Sequence, residues 1–137
     1  MTIQYRATTR NAKLDAIQSN AGASCAMRLY TGAQPANCAT ANSGTLLVTI
    51  NLPNPFMAAA AAGAAAKSGT WSGTASGGAG ATAGHFRLYS SQATMDETTC
   101  FMQGGSAIGS GDLNMDGTIT SGQTITINTF TITDGNP

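Results

Sequence analysis

Residues 123–133 read QTITINTFTIT, a run in which small polar and branched apolar side chains alternate. A period of two puts Ile125 and Ile127 on one face of an extended chain, where a helix would set them on opposite sides. Phe130 and Ile132 resume the apolar series one residue out of phase, which predicts a β-bulge near Asn128–Thr129. Residues 45–52, TLLVTINL, form the strongest strand, and Pro53 and Pro55 end it because proline cannot donate into a ladder. The segment 25–31, CAMRLYT, sets Met27 and Leu29 opposite Arg28 and Tyr30. In 81–90, ATAGHFRLYS, Phe86 and Leu88 oppose His85, Arg87 and Tyr89. Residues 98–103, TTCFMQ, read as its hairpin partner across a turn near 91–96, and 112–116 as a short edge strand. Small polar residues alternate around Trp71 in 67–76, with glycines that permit close backbone approach.

One helix interrupts this pattern. Thr8 and Thr9 offer an N-cap, and RNAKLDAIQ at 10–18 places Leu14 and Ile17 three apart with Ala12 and Ala16 on adjacent rows. Asn20 and Gly22 supply the stop. The spacing predicts a short amphipathic helix, preceded by residues 1–10 as an extended arm. Residues 32–44, rich in Gly, Pro, Asn, Ser and Thr, read as a long loop. The run MAAAAAGAAA at 57–66 favours helix by propensity, yet offers too little apolar area to hold one. It reads as a loop or an excursion beside a strand, with room for one helical turn. About seven or eight short strands and one helix give an all-β chain, a β-sandwich or jelly-roll-like barrel with a short N-terminal helix, in a single domain over 1–137. No second helix is long enough for parallel βαβ units.

Charge sets the class of partner. Six Lys and Arg balance six Asp and Glu, and charged residues make up 9% of the chain against roughly 25% for an ordinary soluble domain. A lone soluble monomer usually keeps its net charge away from zero, so a surface this poor in charge suits a chain covered by other subunits. The basic residues Arg6, Arg10, Lys13, Arg28, Lys67 and Arg87 are scattered and form no stripe along which phosphates could lie, so nucleic acid is not an expected partner. The longest apolar stretch, 56–66, is too short to span a bilayer, and no membrane is expected. The start, MTIQYRATTR, has no apolar core of a secretory signal. Cys25, Cys38 and Cys100 leave an odd thiol however they pair, and read as reduced small hydrophobes, with a Cys25–Cys38 bridge as the alternative.

Several patterns resemble chemistry. DLNMDGTITSGQ at 112–123 has the opening of a calcium loop: Asp112, Asn114 and Asp116 at positions one, three and five, and Gly117 at six. Hard cations take several oxygens on such a sharply turning backbone. Position twelve, however, is the neutral Gln123 in place of a bidentate glutamate, and the flanks are β-rich, so a strand ending in an Asp-Gly turn is the plainer account. His85 is the only histidine, and no serine lies in a nucleophile elbow. Asp96 and Glu97 are adjacent in an expected hairpin loop, where they serve solubility. Glycines at 77–80 lack the lysine and helix of a phosphate loop. No catalytic residue, metal or cofactor is expected.

Taken in order, RNAKLDAI at 10–17, MRLYTGAQPA at 27–36, GTLL at 44–47, KSGTW at 67–71, AGHFR at 83–87 and SGQTITI at 121–127 resemble a family of small tailed-bacteriophage virion structural proteins. The resemblance spans nearly the whole chain. It implies a non-enzymatic role in the virion, head decoration or cementing first, with the major capsid protein or other virion proteins as partners and a homo-oligomer as the working form. A tail, neck or fibre component that binds adjoining virion proteins or a host glycan is the alternative. It carries over no active-site residues. Extensions would reach across neighbours: the arm with Tyr5, Arg6 and Arg10, the loop 32–44, and the loop 54–66 with Phe56 and Met57 as apolar anchors. Small residues lose little side-chain entropy at such contacts.

Overall fold

The computed structural model describes residues 3–107, 112–114 and 117–135, with Asn114 as backbone alone. A helix, α1 (Ala7–Ala21), is followed by β1 (Ala26–Tyr30), β2 (Leu46–Asn51), β3 (Ala64–Ala66), β4 (Trp71–Thr74), β5 (Ala79–Ala81), β6 (His85–Tyr89), β7 (Cys100–Ala107), β8 (Leu113–Asn114), β9 (Ile119–Thr120), β10 (Thr124–Ile127) and β11 (Thr131–Thr133). Five strands form one sheet in the order β2-β1-β6-β7-β8, antiparallel except for the parallel β7–β8 edge. Three two-stranded antiparallel ladders, β10-β4, β11-β3 and β5-β9, complete the strands. The chain is thus mostly antiparallel strand with one N-terminal helix, and no barrel closes among the described residues.

The core lies on one face of the large sheet. Register brings Met27 beside Ile50 and Leu88, and Leu29 beside Val48 and Phe86. All six are buried, together with Trp71, Ile125, Ile127 and Phe130 from the small ladders. Phe130 joins the two layers: its ring lies 5.3 Å from Trp71 and meets Phe86 edge-on at 5.6 Å. Each such side chain contributes about 1.5–3 kcal/mol by leaving water. Gly73, opposite Ile125, lets β4 settle on β2, because a Cβ there would collide with the carbonyl oxygen of Thr49. The close approach expected of the glycines around Trp71 is realised at this position.

Four expectations change. Strand β6 is buried on both faces rather than one, because the loop over 32–44 covers the side bearing His85, Arg87 and Tyr89. The phase slip at Asn128–Thr129 is no bulge within one strand: β10 pairs with β4 and β11 with β3, so the chain changes partner there. The helix starts at Ala7, with Arg6 as its N-cap and no side-chain cap, which confines the extended arm to residues ahead of it. Thr8 and Thr9 lie inside the first turn. The helix is also less amphipathic than its spacing suggests, burying Leu14 and Ala21 with Ile17 half-covered. Polar contacts dock it instead.

Candidate interaction site: the arm, the helix clamp and the covered sheet face

The expected interface residues separate into two groups. Tyr5 is 44% exposed, and Ile3, which sequence reasoning overlooked, is 74% exposed; they are the exposed large apolar side chains among the described residues. The Nζ of Lys13 stands 4.6 Å over the Tyr5 ring and 2.7 Å from the Asp134 carboxylate. Arg6 is exposed at the helix start, and its carbonyl accepts from the backbone N–H groups of Thr9 and Arg10. Arg10 turns inward, donating from Nε to the Asp134 carbonyl at 2.5 Å. Tyr5, Arg6 and Arg10 therefore cluster at one end of α1.

Phe56 and Met57 do not join them. Phe56 is fully buried and Met57 is 4% exposed, so neither is available as an anchor for a partner. The Phe56 ring lies 6.3 Å from Trp71 and 5.9 Å from Phe101. The reason is the helix: Gln18 Oε1 accepts from both the Phe56 and Met57 backbone N–H groups at 3.0 Å and holds their side chains in the core.

The same device runs along α1. Asp15 Oδ1 accepts from Ala60 N–H at 2.8 Å, and Asn11 Oδ1 from Gly63 N–H at 2.8 Å. Residues 11, 15 and 18 fall on one helical face. Three polar side chains thus satisfy the backbone of the alanine-rich segment, whose own side chains have little to bury. At its tip Ala61 and Ala64 exchange backbone hydrogen bonds at 2.8 and 2.9 Å, with Ala62 and Gly63 at positive φ. The segment is a tight hairpin running into β3, not a helix. The polar spacing 11, 15, 18 was present in the sequence, but nothing there said which backbone it would meet.

On the covered face of the sheet, polar groups are satisfied by the loop over 32–44. Arg87 is fully buried; its Nη1 donates to Asn42 Oδ1 at 2.6 Å, its Nη2 to the Cys38 carbonyl at 2.6 Å, and its Nε to Cys100 Sγ at 3.2 Å. Tyr89 Oη also donates to Asn42 Oδ1, at 2.8 Å, so in the 2.9 Å contact between the two phenols Tyr30 is the donor. Burial pushes the Tyr89 hydroxyl well above its ordinary range. Burial pushes the Cys100 thiol up to about 11, against the pull of Arg87 and with the Cys38 thiol adding to the rise. Gln103 Nε2 donates to the Pro35 carbonyl at 2.6 Å.

The remaining candidates are spent on structure. His85 is fully buried; its Nδ1 donates to the Gly32 carbonyl at 2.9 Å and its ring stacks on Tyr30 at 5.2 Å. Its Nε2 meets no hydrogen-bond partner among the described residues, nor does Ser106 Oγ. The two do not combine, because His85 pairs with Gly105, and Ser106, one residue on, points to the other face. Asp96 Oδ1 accepts from Thr98 N–H and Oγ1 at 2.9 and 2.6 Å, which holds its carboxyl below the usual range and closes the turn before β7. Of the calcium-like stretch, Asp116 and the Asn114 side chain lie outside the described residues. Asp112 Oδ2 accepts from Gly105 N–H at 2.9 Å, Gln123 Oε1 from Thr120 N–H at 3.1 Å, and the flanks are strands. No cluster of metal-ligating side chains occurs among the described residues. Cys25 donates to the Ala21 and Gly22 carbonyls at 3.4 Å at the helix end.

A depression of about 360 Å³ lies between the C-terminal end of α1 and β7, lined by Ile17, Ala21, Phe101 and Met102 among others. Among the described residues no helix is long and apolar enough to cross a membrane. No protein-family model, no curated protein and no solved structure matches the chain.

Proposed function

We propose that this chain is a structural protein of a tailed-bacteriophage virion, a decoration or cement protein that packs as a homo-oligomer on the lattice of the major capsid protein. The observation that carries the reading is how the molecule disposes of its few charges. Five of its six basic side chains are engaged by its own atoms: Arg10, Arg28, Lys67 and Arg87 on carbonyl oxygens, and Lys13 on Asp134. What remains outside is largely small and polar, with a few exposed charges such as Arg6, Lys13, Asp15 and Glu97, a surface that costs little to desolvate against a neighbour where those charges are spaced apart. The exposed Ile3 and Tyr5 on the arm add apolar area where a first contact would form. The resemblance in residue order supplies the virion as the setting. A sandwich or jelly-roll-like body belongs to the same reading, supported by the small ladders that face the large sheet across Trp71 and Phe130.

The test is to assemble particles with and without this chain and to label it on intact particles. A lattice of label over the head, with particles that lose heat resistance when the chain is missing, is the expected result. Unchanged heat resistance would remove the cement role. Label confined to one pole of the particle would move the chain to the tail, neck or fibre.

A further inference from the structure

We propose that Cys38 and Cys100 are a redox-responsive thiol pair, which closes into a disulfide by exchange with a small-molecule disulfide and staples the loop over 32–44 to β7. The geometry starts at Arg87. Its planar guanidinium donates to the Cys38 carbonyl at 2.6 Å and to Cys100 Sγ at 3.2 Å, so one rigid group holds both cysteines beside it. The Cys38 thiol also acts on the Cys100 thiol, adding to the rise in its pKa. Both residues are half-buried, which leaves them reachable by a small reagent, and Cys100 also lines the depression beside α1. Cys25 is fully engaged elsewhere, at the C-terminal end of the helix.

The site also gives the bond something to do. The loop is held to the sheet by noncovalent contacts to His85, Arg87, Tyr89 and Gln103. A covalent link between positions far apart in sequence restricts the unfolded chain and secures that cover. In the exchange, one cysteine thiolate attacks a sulfur of the small disulfide and expels one small thiolate. The second cysteine thiolate attacks the protein sulfur of that mixed disulfide and expels the other. Two cysteine thiols become one S–S bond, the small disulfide is reduced to two thiols, and the two cysteine protons pass to the departing sulfurs. The Arg87 guanidinium partly offsets the burial that raises the Cys100 thiol to about 11, so the thiolate that the step needs forms more readily in mild alkali.

The folded full-length chain would be incubated with oxidised glutathione, quenched in acid, denatured, alkylated with N-ethylmaleimide and weighed. The expected product has lost about 2 Da, carries one alkylated thiol at Cys25, and yields a Cys38–Cys100 cross-linked peptide on proteolysis. Dithiothreitol restores three alkylated thiols. C25S must form the same bridge, whereas C38S and C100S must not lose the two hydrogens. The oxidised protein should melt roughly 5–10 °C higher than the reduced one. Three free thiols after oxidation, a bridge that includes Cys25, a lasting glutathione adduct at Cys38 or Cys100, or an unchanged melt would each overturn the proposal.

Discussion

Arg28 and Arg87 stand directly opposite each other on the antiparallel pair β1–β6, on the same face of the sheet, and neither has a carboxylate partner among the described residues. Like charges in that position destabilise a sheet. The molecule tolerates the pair by surrounding each guanidinium with neutral acceptors. Arg28 reaches Thr49 Oγ1 and the Met95 carbonyl, both at 3.2 Å, and its partner strand neighbour takes the shorter bonds to Asn42 and Cys38. The two arginines should therefore respond unequally to truncation. Arg28→Met loses two long bonds and relieves repulsion, so its stability should stay within about 1 kcal/mol of the parent. Arg87→Met leaves the Cys38 carbonyl without its donor and removes the short bond to Asn42, and should cost about 2–4 kcal/mol. Urea unfolding of both variants checks this, and equal costs would contradict it.

Asn42 is exposed as a residue, yet its Oδ1 serves Arg87 and Tyr89 together and its Nδ2 reaches the Met95 carbonyl at 3.3 Å. Asn42→Ala should behave like a core substitution, lowering stability by about 1–3 kcal/mol where an ordinary surface change stays within about 0.5. Thermal melts beside an Asn37→Ala control separate the two cases, since Asn37 bonds only within its own turn.

Gln18 should matter for its acceptor rather than its size. Gln18→Ala leaves the Phe56 and Met57 N–H groups without their partner and should cost about 1–3 kcal/mol. Gln18→Glu keeps an acceptor in place and should restore most of the loss. Amide hydrogen exchange at residues 56 and 57 reads the effect directly, with faster exchange expected in the alanine variant alone.

Stability should fall in alkali. Tyr89, Cys25 and Cys100 all have folded-state values raised above their ordinary 10.0 and 9.0, chiefly by burial. A raised acid favours its protonated form in the folded state, so its contribution is complete below the unfolded value and is lost as pH climbs toward the folded one. Urea midpoints should be flat at neutral pH and decline from pH 9.0 upward, the ordinary thiol value. Cys100→Ala should make the decline shallower up to about 11. A midpoint that rises above pH 9.0 would contradict the assignment.

The arm offers a change that should spare the fold. Ile3→Ser with Tyr5→Ser removes exposed apolar area, so melting should move by less than about 2 °C, while binding to particles or self-association should weaken. Sedimentation of the double variant with and without particles measures both.

Local pattern alone determined the strands that alternate: β1, β2, β6 and the β6–β7 hairpin follow from side-chain period and from proline, because each residue's face is set by its neighbours in sequence. The helix was legible for the same reason, and so was a non-helical alanine run, which has too little side chain to hold a helix in place. The tertiary structure decided what covers each face. That β6 is buried on both sides, that Phe56 and Met57 are core rather than anchors, and that the chain changes partner at Asn128–Thr129 all depend on segments remote in sequence. The gathering of Cys38, Asn42, Arg87 and Cys100 has the same origin: a long loop folded back over a sheet satisfies buried donors with whichever oxygens and sulfurs arrive there, and no sequence period encodes that meeting.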